Sequence, residues 1–440
     1  MSNTLSTPTT AAAQACTEEA IVVTGMGAIG PFGATVEALW SALCDGQALF
    51  VAQPDGTQDD LCGFLPQADI ARLAAEGNRG ERRSVSLFAH RAANAAIAQA
   101  GLMHGGPDPT DVGIVYGTAN GGTPMNFSTA LEYAAQSSRF ELPSLGIIDD
   151  SMGTPAGLVS HEHGFRGPIL NVPMGWAAGG CALAAACDLL RSRVASAVIV
   201  MAADELGGDR PMATRSVNRA RRLLSPNDGG VAGVRPFDCA ANGSTMGEGA
   251  AALVLELRSD ALRRGCTPIA RLSGWAIRTG IARDDVAKYD TQAIATAMTA
   301  AIGSKSPRRV GVVFSGSHCN QSSDRAESAA IARVFGGHAA STPGEPDVDH
   351  AAPLVTNIRG VVGDVGAVTG LYAFIGAALT IDRGVLPGTT GCDTPDTRHD
   401  IDIVHRTRRV DNVDTVLCNA FSSDGVYTAL LVSTEPLGAF

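Results

Sequence analysis

The sequence predicts a layered α/β protein, and two observations support that prediction. Short apolar runs of strand length alternate with longer, small-residue stretches of helical length along most of the chain. Hydrophobic residues make up 45% and charged residues 18% of the 440 residues, which is typical of a protein that buries a large core. No apolar run reaches about 18 residues without interruption, so we expect no transmembrane helix.

The N-terminal half of the chain contains the first group of predicted elements. In chain order we predict a helix over 82–100, strands over 112–116 and 168–172, a helix over 177–193, and strands over 197–201 and 248–256. The strands are short apolar runs, such as AVIVM over 197–201, and the helix over 177–193 is rich in alanine and glycine. Uninterrupted runs of this kind indicate strands that are buried on both faces.

The C-terminal half repeats this alternation with different residues. It opens with a strand over 268–274 and continues with a helix over 291–302, a strand over 310–314, a helix over 325–334, a polar loop over 336–353, a small-residue helix over 365–380, and strands over 416–420 and 428–432. The two halves share no repeated sequence that the eye can detect, so the elements alone do not predict a duplication.

Composition limits the classes of partner. The net charge is −11 with acidic and basic residues interspersed, which argues against nucleic acid as a partner. The chain contains neither a P-loop nor a G-x-G-x-x-G after a strand, and His161 and His163 lack a third metal ligand, so we expect no cofactor and no metal.

The N-terminus and the cysteines suggest a cytoplasmic protein. Residues 1–19 are polar and rich in threonine and alanine, without a basic segment, so we predict a disordered tail rather than a signal peptide. The ten cysteines show no C-x-x-C spacing, and we interpret them as reduced thiols.

Four short landmarks occur in order along the chain. They are Ile21–Gly27 with Pro31–Gly33 and Leu39-Trp40, Val115–Thr118 with Gly121-Gly122, Arg235–Asp238 with Gly247–Ala250, and Asn419–Phe421 with Gly425. On these landmarks the chain from about Ala20 resembles the β-ketoacyl synthases of the thiolase superfamily. The resemblance implies the duplicated, five-layered α-β-α-β-α thiolase fold, with an N-terminal half over 20–262 and a C-terminal half over 263–440.

The strand over 168–172, the bend at Met174-Gly175-Trp176 and the following helix form the segment that would carry the nucleophile. At the N-terminus of a buried helix the unpaired N–H groups and the helix dipole lower the pKa of a cysteine thiol. In the family this position is the acyl-accepting cysteine, whereas this chain has Trp176, whose indole is not a nucleophile.

The resemblance also assigns the other catalytic positions. Asp324 and Glu327 fit two acids of the family, and counting back from Asp324 places the first family histidine at Gly316. The second family histidine falls at Asp364 and the family lysine at Arg359. The gating phenylalanine of the C-terminal turn falls at Ser423. Trp176, Asp364, Phe421 and Ser423 are therefore the expected lining of the substrate pocket.

These replacements predict that the chain has no catalytic residues of the family kind. Without the thiol there is no acyl-enzyme, and without either imidazole nothing evident stabilises the enolate that forms when a malonyl thioester loses CO2. The Asp364 carboxylate would be anionic near neutral pH unless buried, and would oppose a developing enolate oxygen. His318 and Cys319 could form a relocated pair of base and nucleophile, but their adjacency in sequence does not orient one toward the other.

We interpret the sequence as a catalytically silent subunit that resembles the chain length factor of type II polyketide or polyene systems. Such a subunit pairs with an active β-ketoacyl synthase, and residues 171–187 are the expected interface. The basic cluster Arg219, Arg221 and Arg222 is either a solvated face or a dock for an acidic acyl carrier protein.

Two other interpretations stay open: a divergent acyltransferase or hydrolase that reuses the pocket, and a homodimer that binds acyl thioesters. In a further alternative, Trp176 only fills the core.

Overall fold

The computed structural model describes residues 19–52, 61–77, 85–121, 135, 151–205, 233–280, 289–336 and 352–434. The helices within these ranges are α1 (Val36–Asp45), α2 (Gln67–Gly77), α3 (Val85–Ala100), α4 (Thr154–His163), α5 (Ala178–Arg191), α6 (Arg258–Arg263), α7 (Thr291–Ile302), α8 (Gln321–Phe335), α9 (Arg359–Val362) and α10 (Val368–Arg383). Single 3-10 turns occur at Pro109–Asp111, Gly175–Ala177 and Pro307–Arg309.

The strands in the same ranges form one large sheet and two small ones. They are β1 (Ile21–Ile29), β2 (Val51–Ala52), β3 (Leu61–Gly63), β4 (Val112–Gly117), β5 (Ile169–Val172), β6 (Ala197–Asp204), β7 (Met246–Gly247), β8 (Gly249–Leu257), β9 (Ala270–Thr279), β10 (Val312–Phe314), β11 (Leu354–Thr356), β12 (Val385–Leu386), β13 (Asp402–Ile403), β14 (Arg408–Arg409), β15 (Thr415–Phe421) and β16 (Val426–Ser433). The large sheet has the order β13-β11-β10-β15-β16-β9-β1-β8-β6-β4-β5.

The strand order reveals the duplication that the sequence hides. In the N-terminal half the order β5-β4-β6-β8-β1 contains two parallel pairs followed by two antiparallel pairs. In the C-terminal half the order β11-β10-β15-β16-β9 contains the same succession of pairings. The halves meet where β1 pairs with β9 through Ile21, Val22 and Val23.

Three hydrophobic clusters define the layers. The central cluster takes side chains from α5 and α10 and from strands of both halves. A second cluster packs α3 and α4 on the outer face of the N-terminal strands, and a third packs α7 and α8 on the outer face of the C-terminal strands. These layers give the expected α-β-α-β-α architecture, with α5 and α10 buried at its centre.

The observed elements follow the predicted ones with differences at their ends. The helix over 291–302 is α7, whereas the strand predicted to end at 274 continues as β9 to Thr279. The helix predicted to begin at 365 begins at Val368, because Gly363 and Gly366 have positive φ angles of 77° and 54° that interrupt it. β5 is an edge strand with exposed side chains rather than a buried strand.

Three predictions fall largely outside the described ranges: the tail up to residue 18, the basic cluster at 219–222, and most of the loop over 336–353. Among the helices that the structure describes, none is both long enough and apolar enough to cross a membrane.

Candidate functional site

The site lies where equivalent turns of the two halves meet. In each half, the third strand of the large sheet in chain order leads into the central helix. In the N-terminal half β5 leads through the turn at Gly175–Ala177 into α5, and in the C-terminal half β11 leads through α9 into α10. The two helix starts are in close contact, since a Cβ on Gly179 of α5 would lie 2.4 Å from the Ala367 carbonyl oxygen before α10. Side chains on either turn therefore share one small region.

Trp176 occupies the elbow before α5. Gly175 makes the bend with a φ of 56°, a conformation that disfavours a side chain, and a Cβ there would lie 2.6 Å from Ser422 Oγ. The Trp176 side chain is 7% exposed and meets the His318 ring edge-on, with 5.9 Å between ring centroids and 89° between planes. The indole therefore packs at the expected nucleophile position.

The loop between β10 and α8 is held by a buried carboxylate. Glu327 accepts hydrogen bonds from Gly316 N at 3.1 Å and from Ser317 N at 2.9 Å, and from the Ser315 hydroxyl at 2.5 Å and the Asn419 amide at 2.8 Å. Burial raises the pKa of Glu327, and these donors oppose the rise. Glu327 thus fixes the backbone at Gly316 and Ser317, where the resemblance leads us to expect the first family histidine.

Asp324 ties the same loop to the third landmark. Its carboxylate accepts from Phe237 N at 2.8 Å and from the Ser317 hydroxyl. Burial raises the pKa of Asp324 to about 7, and the hydrogen bond from Ser317 opposes that rise. Asp324 therefore joins the Ser317 side chain to the backbone at Phe237, whereas Glu327 binds the backbone of the loop itself.

His318 lies at the centre of the site, although the sequence suggested it only as a possible partner of Cys319. It is fully buried, its Nδ1 lies 2.7 Å from Asp364 Oδ2, and its Nε2 lies 3.0 Å from the Phe421 carbonyl oxygen. Its ring also stacks on Tyr289 at 5.7 Å. The imidazole thus joins Trp176 to two other predicted pocket residues.

Asp364 is buried yet favours the anion. Burial alone would raise its pKa, but the charges of Arg359 and His318 and hydrogen bonds from both hold it below its usual range. Arg359 Nε lies 3.4 Å from Asp364 Oδ2, and Arg359 Nη1 donates to the Ser317 carbonyl at 2.9 Å. From the sequence we expected Asp364 to be anionic unless it is buried. The structure shows that it is buried, yet its charged neighbours favour the carboxylate.

The remaining sequence candidates lie around this centre. Phe421 is buried at the end of β15 and packs against Tyr427, whereas Ser423 is half-buried in the turn between β15 and β16. Cys319 follows His318 in chain order, but its thiol points toward the Ser317 carbonyl oxygen at 4.0 Å. Both nitrogens of His318 face other groups, so the two side chains do not form the relocated pair.

Sequence reasoning missed the pairing of His318 with Asp364, and it missed Tyr289. One signal was present: an acid stands at one family histidine position, and a histidine stands two residues after the other. The two residues are 46 positions apart, so only the meeting of the two turns brings them together.

Comparison with known proteins identifies the family. The N-terminal domain of the β-ketoacyl synthases matches residues 18–261, and their C-terminal domain matches residues 269–393. The chain is 30% identical to the oxytetracycline polyketide putative β-ketoacyl synthase 1 of Streptomyces rimosus, covering 94% of this chain and 97% of that protein. It is 28% identical to the tetracenomycin polyketide synthase ketoacyl synthase alpha subunit of Streptomyces glaucescens, with the same coverage of both chains.

Solved structures share the fold. The ishigamide ketosynthase/chain length factor superposes with a TM-score of 0.81 at 21% identity, covering 95% of this chain and 100% of that chain. A type II polyketide synthase ketosynthase in complex with its acyl-carrier protein superposes with a TM-score of 0.81 at 19% identity and the same coverage. From the two matching domains and the relatives that span it end to end, the chain belongs to the β-ketoacyl synthase family.

Proposed function

We propose that this chain is a ketosynthase-like subunit that forms no acyl-enzyme by itself and pairs with an active β-ketoacyl synthase in polyketide or fatty-acid-like chain elongation. The observation that carries the proposal is the Trp176 indole, which is buried at the start of α5 and packs against His318. A side chain of this size fills the space that a thiol and its acyl group would need.

No thiol near the site offers a substitute nucleophile in the part of the chain that the structure describes. Cys181 on α5 is buried, and burial raises its pKa to about 12. Burial also raises the pKa of Cys319 well above its ordinary value. A thiol with a raised pKa is protonated at neutral pH and is a poor nucleophile.

The groups around Asp364 also argue against decarboxylation of a malonyl thioester. That reaction places negative charge on an enolate oxygen, which donors or cations must stabilise. Asp364 favours the anion, and both nitrogens of the fully buried His318 already face other groups. This arrangement supports a subunit that is silent in both steps of family chemistry.

The exposed edge of the large sheet supports pairing. Within the part of the chain that the structure describes, β5 is the last strand of that sheet. Ile169 and Leu170 are 41% and 39% exposed, and Met174 beyond β5 is 50% exposed. A strand at a sheet edge presents unpaired backbone N–H and C=O groups, which can pair with a strand of another chain. Within the interface predicted over 171–187, α5 is largely buried inside this chain, so residues 169–174 supply the available surface.

The relatives support the setting of the proposed function. Those from Streptomyces are named as polyketide synthases, and one structural neighbour contains an acyl-carrier protein bound to its ketosynthase. We therefore propose an acyl carrier protein as the second partner and the cytoplasm as the location.

One observation favours the rival enzyme, a divergent acyltransferase or hydrolase. The contact of 2.7 Å between His318 and Asp364 resembles the pair in which a carboxylate orients a histidine as general base. The second nitrogen of such a base must reach a nucleophile, whereas Nε2 of His318 faces the Phe421 carbonyl oxygen. The silent subunit therefore accounts for more of the geometry.

The test is affinity purification of the chain from its native host, followed by assays of the chain alone. We expect an active synthase to co-purify, and intact-mass spectrometry to show no acylation by acyl or malonyl carrier protein. Trp176→Cys alone should not restore condensation, since Gly316 and Asp364 remain. An acylated wild-type chain, or CO2 released from malonyl carrier protein, would contradict silence, and a homodimer that ignores the synthase would contradict pairing.

A further inference from the structure

The Asp204 carboxylate, buried at the end of β6, joins two turns that are far apart in sequence. In the turn after β4, the Thr118 hydroxyl donates to Asp204 Oδ1 at 2.9 Å, and Asn120 N donates to the same oxygen at 2.8 Å. Ala119 N lies 3.1 Å from both carboxylate oxygens. In the turn before α10, Ala367 N donates to Asp204 Oδ2 at 2.8 Å. One carboxylate therefore holds backbone from both halves of the fold.

The start of α10 is built around this carboxylate. Ala367 is the N-cap of α10, and its own side chain provides no capping bond, so its N–H group is one of the donors that a helix start leaves open. A negative charge there also interacts favourably with the helix dipole. Gly366 has a φ of 54°, and a Cβ on it would lie 2.4 Å from Asp204 Oδ2. The glycine thus lets the carboxylate reach the helix start.

The partners that the described residues offer to Asp204 are all donors. Backbone N–H groups cannot accept a hydrogen bond, and the Thr118 hydroxyl already accepts one from Gly121 N at 2.7 Å. An ionised carboxylate receives all of these donors, whereas a protonated carboxyl group would point its own hydrogen at one of them. Oδ2 has fewer donors than Oδ1, so it is the more favourable place for the proton. Protonation would therefore break the bond from Ala367.

Asp204 changes its charge near neutral pH. Burial raises the pKa of Asp204 to about 6, and the hydrogen bonds that it receives oppose the rise. The ionisable side chains nearest to these segments in chain order are Glu205 after β6, Asp364 before α10 and Tyr116 on β4. None of the three is among the largest influences on Asp204, which are burial and the four donors.

We infer that Asp204 is a proton-sensitive link between the turn after β4 and the start of α10, which the carboxylate closes and the carboxylic acid opens at Ala367. The first turn lies beside the exposed edge, because Thr118 N donates to the Val172 carbonyl of β5 at 3.3 Å. The second turn follows Asp364 of the central site. Acid would thus loosen the connection between the sheet edge and the central site. The link consists of contacts within this chain, so it does not depend on pairing with a synthase.

The test is amide hydrogen exchange of the full chain between about pH 5 and about pH 8, corrected for the intrinsic exchange rate. We expect the protection of Ala367 N to fall by about tenfold or more as the pH drops, which is the effect of losing one hydrogen bond to a charged acceptor. Asn120 N, which is bonded to Oδ1, should change less. Ile199 N, in the middle of β6, is the internal reference, since it should change only if the sheet itself opens.

Two variants test the role of the carboxylate. Asp204→Asn replaces it with a neutral amide, so the protection of Ala367 N should be low at every pH and should show no step. Thr118→Val removes a donor to the ionised form and should move the step to higher pH. The control is Asp290→Asn, which keeps a capping oxygen at the N-terminus of α7 and should leave the step unchanged.

Three results would overturn the inference: equal protection of Ala367 N at both ends of the pH range in wild type, a step that persists in Asp204→Asn, or a step that Thr118→Val does not move. If Asp204→Asn does not fold, the wild type and Thr118→Val still decide the question.

Discussion

At the scale of single residues, Trp176 lies at an elbow whose geometry is set by its neighbours rather than by its own side chain. The elbow that holds it depends on Gly175 with its positive φ and on close contact with Ser422. These features belong to the backbone and persist whatever side chain follows. The indole contributes burial and an edge-on contact with His318, so its loss should affect stability and the shape of the site together.

We predict that Trp176→Ala lowers the free energy of unfolding by about 3–5 kcal/mol, because it leaves a cavity at a buried position. If the acyl chain of a partner synthase runs past this turn, the same cavity should shift the products of the complex toward longer chains. Product lengths from the reconstituted complex and denaturant unfolding of the isolated chain measure the two effects.

The control is Trp40→Ala, which removes an equally buried tryptophan from α1, where Arg383 covers its ring. It should cost a similar free energy and leave product lengths unchanged. If Trp176→Ala leaves the complex intact and the product lengths unchanged, Trp176 only packs the core and does not limit the acyl chain.

At the scale of elements, the loop between β10 and α8 packs against β15 at Gly316, a residue without a side chain. A Cβ on Gly316 would lie 2.9 Å from the carbonyl carbon and oxygen of Asn419 on β15, closer than such contacts allow. The packing of the loop against β15 thus requires a glycine at position 316. A histidine introduced there would fit only if β15 moved.

We predict that Gly316→Ala lowers the free energy of unfolding by about 1–3 kcal/mol, because the clash is with backbone that cannot rotate away. The matched control is Gly157→Ala on α4, where an added Cβ meets nothing within 4 Å. That substitution should stabilise the chain by about 0.5–1 kcal/mol, since alanine favours a helix interior. Denaturant unfolding measures both, and a neutral Gly316→Ala would show that the loop can move.

The acids of the same loop predict how stability depends on pH. The folded-state pKa of Asp324, about 7, lies above its unfolded value, so the folded chain retains a proton that the unfolded chain has lost. This contribution to stability is complete below about pH 4 and is lost as the pH rises toward about 7.

Asp324→Asn removes the titrating carboxyl group. The free energy lost with its hydrogen bonds is the same at every pH. The difference in unfolding free energy between wild type and variant should therefore narrow as the pH rises from about 4 to about 8. Asp204 and Glu327 also have raised pKa values, but both proteins retain them. A difference that stays constant over this range would show that Asp324 titrates normally.

Sequence patterns predicted buried strands and helices well, because burial restricts them to apolar or small residues. The apolar run over 197–201 is β6, and the small-residue stretch after Trp176 is α5, because only small side chains fit between α10 and the strands. The patterns misled at β5, whose apolar residues are exposed at a sheet edge. They also missed the contact of His318 with Asp364, which depends on two turns distant in sequence.

At the scale of the whole molecule, the duplication explains why the site lies at the centre. Each half contributes its central helix and the turn before it, so the two turns are held together by the buried packing of α5 against α10. The side chains on these turns can therefore change while the core that positions the turns persists. Among the described residues, β5 packs Val172 against this core and exposes Ile169 and Leu170 at the edge of the sheet.

We predict that the chain is a dimer, with an active synthase or with itself, and that Leu170→Lys on β5 breaks it. A stable homologous interface buries more than about 2,000 Å² in total, and a lysine charge at its centre would be desolvated without a partner. The control is Leu262→Lys, which changes a leucine that is 44% exposed on α6, a helix that packs against β1 and β8. Light scattering at micromolar concentration should show a monomer for Leu170→Lys alone. A monomeric wild type, or a Leu170→Lys variant that stays dimeric, would mean that the exposed edge of β5 is not the surface through which this chain assembles.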